Sequence, residues 1–161
     1  MQATRLSRRS DGPRERIASS IEPVTEATER TSPPVVLRVL VYSDNANTRA
    51  QVISAIGTRP DPDLPELEYV EVATGAVVIG HLDAGGIDLA VLDGEATPVG
   101  GMGIAKQLKD EIRDCPPILV LTGRPDDAWL ANWSRAEASV PRPIDPIRLA
   151  EAVVTLLRAA A

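Results

Sequence analysis

Short apolar runs alternate with helical patterns along most of the chain. The runs cover about residues 36–43, 67–73, 87–92, 117–121 and 138–140 and are rich in Val, Ile and Leu. After each run, apolar residues recur with a helical period over about residues 46–56, 76–83, 103–113, 126–136 and 146–158. Runs of this kind predict buried strands, and the helical period predicts amphipathic helices.

The regular alternation of strand and helix favours parallel strands joined by crossover helices. We therefore predict a three-layer α/β fold for residues 35–161, with a doubly wound, five-stranded parallel sheet and five helices. Residues 1–34 are rich in Arg, Ser, Thr, Glu and Pro and show no period, which predicts an extended N-terminal arm without its own core. The predicted elements account for residues 35–161, so no output domain is expected.

Composition and charge narrow the range of partners. The net charge is −6, the arm carries six arginines and five acids, and the rest of the chain carries 11 basic and 18 acidic residues. Such an acidic body argues against nucleic-acid binding, which needs a basic face. No apolar stretch reaches the ~20 residues of a membrane span, and no secretory signal is evident, so we predict a cytoplasmic protein.

Polar side chains stand where the predicted strands end. Asp44 follows the first strand, Asp93 ends the third, Thr122 the fourth, and Arg142 the fifth. The carboxyl ends of parallel strands meet at one edge, where open α/β sheets build their sites. One such acid is often only a helix cap, but two carboxylates, a hydroxyl and a cation in register favour a site.

The order and spacing of these residues resemble the receiver domains of bacterial two-component response regulators, over about residues 36–158. The resemblance implies a flavodoxin-like receiver fold in which Asp93 is the phosphoryl acceptor and Thr122 the hydroxyl after the fourth strand. It makes Asp44 the second member of an acidic pair that holds Mg²⁺. Gly101 and Pro143 match a glycine and a proline of the family pattern.

Several positions depart from that pattern. Ser43 replaces the first acid of the pair and Arg142 replaces a lysine. Ser139 stands where the family has a switching aromatic residue, and Thr97 where it has a loop proline, with Pro98 one position later.

The departures at Ser43 and Arg142 affect the predicted binding of Mg²⁺. With one carboxylate fewer, we expect at most weak Mg²⁺ binding through Asp44 and Asp93, and the sequence identifies no further cofactor. The planar guanidinium of Arg142 can hold a carboxylate through two parallel bonds. We hypothesise that Arg142 pairs with Asp93 or Asp44 and fills the metal position.

Trp129 and Trp133 lie four residues apart on the fourth predicted helix and therefore share a face. The resemblance implies that this helix, the fifth strand and the fifth helix form a common partner surface. Tryptophan is enriched at binding hot spots, which favours a contact role. The alternative is that one ring covers the edge of the sheet as part of the core.

Together these features predict an atypical, stand-alone receiver that acts as a protein-interaction module and not as a turnover enzyme. We expect an accessory subunit of a larger assembly, contacted through residues 1–34, the Trp129 and Trp133 face and the Pro-rich loop 58–65. The alternative function is a working receiver phosphorylated on Asp93 by a histidine kinase.

A third class is an enzyme on this fold. Glu95 has the spacing of the second acid in an Asp-nucleophile phosphatase, but the familiar pattern uses Asp and further segments. A flavin binder is disfavoured because Asp44 would repel a phosphate.

Overall fold

The computed structural model describes residues 32–160. In that range the strands are β1 (Val36–Tyr42), β2 (Glu66–Val72), β3 (Leu89–Asp93), β4 (Ile118–Thr122) and β5 (Ala138–Pro141). The helices are α1 (Ala46–Ile56), α2 (Gly75–Ala84), α3 (Gly101–Glu111), α4 (Ala128–Trp133) and α5 (Pro146–Ala160). None of these helices is long and apolar enough to cross a bilayer. The arm predicted for residues 1–34 lies outside the described residues, except for its last three positions.

The five strands form one sheet in the order β2-β1-β3-β4-β5, and each neighbouring pair is parallel. From β1 the chain moves to one edge to form β2 and then returns past β1 to form β3. The winding therefore reverses between β1 and β3, and in open α/β sheets a ligand site lies at such a point. This arrangement confirms the predicted doubly wound parallel sheet.

Side chains of β1 alternate between the two faces of the sheet, as the strand period requires. Val39 and Val41 pack in one core cluster with residues of α1 and α5. Leu40 and Tyr42 pack in a second cluster with residues of α2 and α3. All four are essentially inaccessible to solvent, and burial of each of the three aliphatic side chains contributes about 1.5–3 kcal/mol. The sheet is therefore fixed firmly enough to place the residues at its carboxyl edge.

The fourth helix is shorter than its predicted range of 126–136. A 3₁₀ turn at Pro125–Asp127 precedes the six residues of α4. Arg135 has a φ of 67°, which a right-handed helix cannot accommodate, and Ser134 Oγ donates to the carbonyl of Ala131 at 2.6 Å. Local backbone geometry therefore ends the helix before the apolar pattern does.

The start of α3 also differs from its predicted start at about residue 103. The helix begins at Gly101, where a Cβ atom would lie only 2.8 Å from the carbonyl oxygen of Asp93. The apolar pattern marks the start of the buried face of the helix, whereas the helical backbone begins two residues earlier. Only glycine allows this close approach of the helix to the end of β3.

Candidate functional site at the carboxyl edge of the sheet

The ends of β1 and β3 place Ser43 beside Asp93. Tyr42 is paired with Leu92 in the parallel register, so the next residues of the two strands are neighbours. Ser43 Oγ donates to Asp93 Oδ2 at 2.8 Å, and both residues are buried. The residue that replaces an acid of the family pattern is therefore a hydrogen-bond donor to the central carboxylate.

Arg142 reaches the same carboxylate from the end of β5. Its backbone N–H donates to the carbonyl of Thr122 at 2.9 Å, which extends the pairing of β4 and β5 by one bond. Its Nη2 atom lies 2.6 Å from Asp93 Oδ1. The N–H of Glu95 donates to the same oxygen at 2.9 Å. Three donors thus occupy the two oxygens of Asp93, as expected for a buried charge.

The Nε atom of Arg142 has no hydrogen-bond partner within residues 32–160. Among the buried side-chain nitrogen and oxygen atoms of the described residues, it is the one atom without a hydrogen-bond partner. Its contact with Asp93 is therefore a single short ion pair through Nη2 and not the two-bond fork that an Arg–carboxylate pair can form.

Asp44 has a hydrogen-bond partner in the loop that follows β3. It is exposed, and its Oδ2 atom accepts a hydrogen bond from Thr97 Oγ1 at 3.0 Å. The contact links the end of β1 to the loop between β3 and α3. Thr97, which takes the place of a proline in the family pattern, therefore supplies a hydroxyl that engages the remaining acid of the pair.

The loop between β3 and α3 is held at several further points. Tyr42 donates its hydroxyl to the carbonyl of Val99 at 2.5 Å, and the N–H of Gly94 donates to the carbonyl of Leu121 at 2.8 Å. A Cβ atom on Gly94 would lie 2.6 Å from that same carbonyl oxygen. Burial, and then the nearby charges of Asp44 and Asp93, raise the pKa of Tyr42, so its hydroxyl keeps its proton and remains a donor.

Arg49 of α1 supports the end of β1 from outside. Its Nη1 atom donates to the carbonyl of Ser43 at 2.7 Å, and its Nε atom donates to Glu71 Oε1 at 3.0 Å. The same helix is capped by Asn45, whose side chain accepts from the N–H of Asn47. Cap and arginine together fix the backbone that carries Ser43.

A cavity of about 300 Å³ opens over Asp93. Its lining residues are Asp44, Asn45, Thr48, Asp93, Glu95 and Arg142. Thr122 does not line it. Thr122 is buried at the end of β4. The structure thus brings Asp93, Arg142 and Asp44 to one cavity, with Thr122 facing another.

These residues do not fit a Mg²⁺ site of the kind that the resemblance implies. Hard divalent cations need several clustered oxygen ligands. Asp93 Oδ1 faces a guanidinium, its Oδ2 faces a hydroxyl donor, and Asp44 is engaged by Thr97. Over residues 32–160, no group of three or more His, Cys, Asp or Glu side chains could hold a metal ion.

The two tryptophans lie on the surface of α4. Trp129 is 66% exposed and Trp133 is 53% exposed. Lys106 Nζ of α3 lies 5.8 Å from the centre of the Trp133 ring, within the range of a cation–π contact. The alternative that one ring forms part of the core is therefore wrong, and two large apolar surfaces are available to a partner.

The fold is that of a receiver domain, and close relatives of the chain establish its family. The chain belongs to the response regulator receiver family. It is 71% identical, over 125 residues, to the proteins named uncharacterized response regulatory protein Rv3143 and MT3230 from two strains of Mycobacterium tuberculosis. That match covers 78% of this chain and 94% of each relative. No protein-family model matches the chain.

Solved structures show the same fold at low sequence identity. A CheY-like receiver domain protein from Methanospirillum hungatei is 16% identical, with a TM-score of 0.62 over 78% of this chain and 97% of that one. The response regulator TrrA from Thermotoga maritima, solved in complex with Mg²⁺-BeF, is 23% identical, with a TM-score of 0.62 over 74% of this chain and 98% of that one.

Sequence reasoning missed the residues that hold the site in place. It treated Ser43 only as a missing acid, and it assigned no role to Arg49, Thr97 or Tyr42. Ser43 and Thr97 depart from the family pattern that identified Asp93, and Arg49 and Tyr42 lie outside that pattern. A hydroxyl at two of the departing positions, 43 and 97, is the signal that could have indicated hydrogen bonds in place of metal ligands.

Proposed function

We propose that this receiver domain is a protein-interaction module whose partner binding does not depend on phosphorylation, and that it serves as an accessory subunit of a larger assembly. The observation that carries the proposal is the occupation of Asp93 by three donors, from Ser43, Glu95 and Arg142. A receiver held in one arrangement by its own side chains can present a constant surface to its partner.

The chemistry of the site supports this proposal. Phosphoryl transfer to a carboxylate depends on positioning and on neutralising the charge of the phosphoryl oxygens. Here the carboxylate that would attack is ion-paired with Arg142, and the second acid is hydrogen-bonded to Thr97. Both contacts would have to break before Asp93 and Asp44 could act together on a metal-bound phosphodonor. We therefore also propose that the domain is not a turnover enzyme.

The exposed ring faces of α4 support a partner surface at that helix. A large aromatic side chain that already lies in solvent loses little packing and few torsions when a partner covers it. We propose that Trp129 and Trp133 contact the partner directly. Residues 1–34 provide a second contact in this proposal, which rests on their composition, and a cytoplasmic location remains a prediction from the sequence.

The second candidate function is a working receiver phosphorylated on Asp93 by a histidine kinase. The cavity of about 300 Å³ over Asp93 favours it, because a phosphodonor needs open space beside the attacking oxygen. The position of Thr122 at the end of β4 also agrees with it. This function requires Arg142 to move away from Asp93.

Affinity purification from the native cells, followed by mass spectrometry, separates the two functions. The baits are the intact chain, Asp93→Asn, the double variant Trp129→Ala with Trp133→Ala, and a chain without residues 1–34. Val77→Ala serves as a matched control because it changes an exposed apolar residue on α2. A stoichiometric partner retained by Asp93→Asn and Val77→Ala, and lost with the tryptophans, supports the proposal.

A partner that disappears with Asp93→Asn, or the recovery of only a histidine kinase, would overturn it in favour of the working receiver. Labelling with a small phosphodonor in the presence of Mg²⁺ gives an independent result. We expect no stoichiometric label on the intact chain.

A further inference from the structure

A second, smaller cavity lies between α4, β5 and the start of α5. Its volume is about 100 Å³, and Thr122, Pro125, Ala128, Ser139, Pro141 and Arg148 line it. The side chains of Ala128 and Ser139 are small, which leaves the space open. Ala128 is the neighbour of Trp129, so the cavity adjoins the helix that carries the exposed tryptophans.

The polar side chains that line this cavity, those of Thr122, Ser139 and Arg148, can all donate hydrogen bonds. Arg148 is exposed, and its guanidinium forms no salt bridge with any acid of residues 32–160. Asp145, three residues before Arg148, is committed to the helix end, where its Oδ1 atom accepts from the N–H groups of Ile147 and Arg148.

The charge of the lining selects an anion. One guanidinium and two hydroxyls can donate to a carboxylate, and no acid lines the cavity. A water molecule occupies about 30 Å³ of liquid, so the cavity exceeds the space of one water and suits the end of a short side chain. Pro125, Ala128 and Pro141 provide apolar contacts for the methylene groups of such a side chain.

The flanking residues favour a single negative charge over a phosphate. Asp126 and Asp127 follow Pro125 in the 3₁₀ turn, and Asp127 pairs with Arg124. A phosphoryl group carries close to two negative charges and three oxygens, and it would face these acids at the rim of a small cavity.

We propose that this cavity receives the carboxylate of an aspartate or glutamate side chain from the partner that covers Trp129. The proposal rests on the proposed function, because it assigns a chemistry to that partner surface. Arg148 binds the charge, the hydroxyls of Thr122 and Ser139 orient it, and Trp129 covers the adjoining apolar residue of the partner.

Two capped pentapeptides test the proposal: Gly-Leu-Glu-Leu-Gly and the same peptide with Gln in place of Glu. Each is titrated into the ¹⁵N-labelled full chain and followed by NMR. We expect the Glu peptide to shift the signals of Thr122, Ser139 and Arg148 and to bind at least ~10-fold more tightly than the Gln peptide, since charge-assisted hydrogen bonds are the stronger ones.

Three variants sharpen the test. Arg148→Ala should abolish the preference for Glu, and Ser139→Val should weaken binding by filling the cavity. Arg113→Ala removes an exposed arginine that does not line the cavity and should leave binding unchanged. Arg148 is exposed, so its loss should not unfold the domain, and the NMR spectrum verifies this directly.

Equal binding of the two peptides, shifts confined to other surfaces, or tighter binding of a matching phosphoserine peptide would each overturn the carboxylate proposal. Its failure is distinct from failure of the proposed function. If the peptides show no preference but partner capture still requires the tryptophans, only the cavity assignment is wrong. If capture requires Asp93, the proposed function is wrong whatever the peptides show.

Discussion

Arg142 and Asp93 form an ion pair that joins the surface of the domain to its interior. The side chain of Asp93 is 3% exposed, whereas that of Arg142 is 28% exposed, and their atoms approach to 2.6 Å. A buried carboxylate is stable only when its charge is compensated. The cation that compensates it is therefore part of the fold, and not only part of a site.

Replacement of Arg142 by alanine should destabilise the domain. The loss of one partner from a fully buried pair costs about 3–5 kcal/mol, but Ser43 and the N–H of Glu95 still donate to Asp93, so we expect about 1–3 kcal/mol. Urea denaturation followed by circular dichroism measures the change. Arg124→Ala, which removes an exposed arginine, should stay within about 0.5 kcal/mol. Equal stabilities of the two variants would contradict a structural role for the pair.

Restoration of the family pattern should create a metal site. In Ser43→Asp combined with Arg142→Lys, a carboxylate ligand is added and the guanidinium is removed from Asp93. We expect Mg²⁺ to bind at least ~10-fold more tightly than to the natural chain, because charge and ligand number both favour the cation. Isothermal titration calorimetry measures this affinity.

The matched control is Ser43→Ala combined with Arg142→Lys, which makes the same change at Arg142 without adding a ligand. It should bind Mg²⁺ more weakly than the variant with aspartate. Tight binding of Mg²⁺ by the natural chain would show that Arg142 leaves Asp93 readily, and would remove the chemical basis of the proposed function.

Alanine substitution of the tryptophans should leave the stability of the domain nearly unchanged. Trp129 is two-thirds exposed, so we expect the free energy of unfolding to change by no more than about 0.5 kcal/mol. Trp133→Ala also removes the contact with Lys106, which adds about 0.5 kcal/mol. Leu121→Ala, a buried control on β4, should cost about 2–5 kcal/mol in the same denaturation experiment. A tryptophan variant as unstable as the Leu121 variant would argue for a packing role.

Alkaline pH should destabilise the domain through its two tyrosines. Burial raises the pKa of Tyr69 and is also the main cause of the raised pKa of Tyr42. Since each folded-state pKa lies above that of the unfolded chain, the stabilisation is complete below pH ~10 and is lost as pH rises further. Spectrophotometric titration should therefore show tyrosinate forming only as circular dichroism reports unfolding. Tyr42→Phe and Tyr69→Phe assign the two signals, and normal titration of either group in the native protein would contradict the expectation.

The sequence was informative about the sheet because β3 and β4 are buried along their whole length. Every position in such strands is apolar until the strand ends, so the polar residues Asp93 and Thr122 mark the ends directly. The extent of α4 could not be predicted in this way. Its end depends on the φ angle of Arg135 and on a hydrogen bond of Ser134, and neither changes the apolar pattern.

The site was only partly predictable for a related reason. The charges and the parallel strands predict that Arg142 pairs with Asp93 or Asp44. In the structure its partner is Asp93. Asp44 and Tyr42 are hydrogen-bonded to Thr97 and to the carbonyl of Val99. These two partners do not follow from the sequence, because they lie in the loop between β3 and α3. The path of that loop depends on close approaches at its glycines, which no hydrophobic pattern encodes.

The location of both tryptophans on α4 gives the protein a built-in optical reporter. Since the chain contains no other tryptophan, its tryptophan fluorescence comes from the surface of a single short helix and not from the core. The emission of the native protein should already resemble that of solvated indole, and unfolding should shift its wavelength little. A blue shift or quenching would instead signal that something has covered this helix, so an unlabelled sample can report the arrival of a partner.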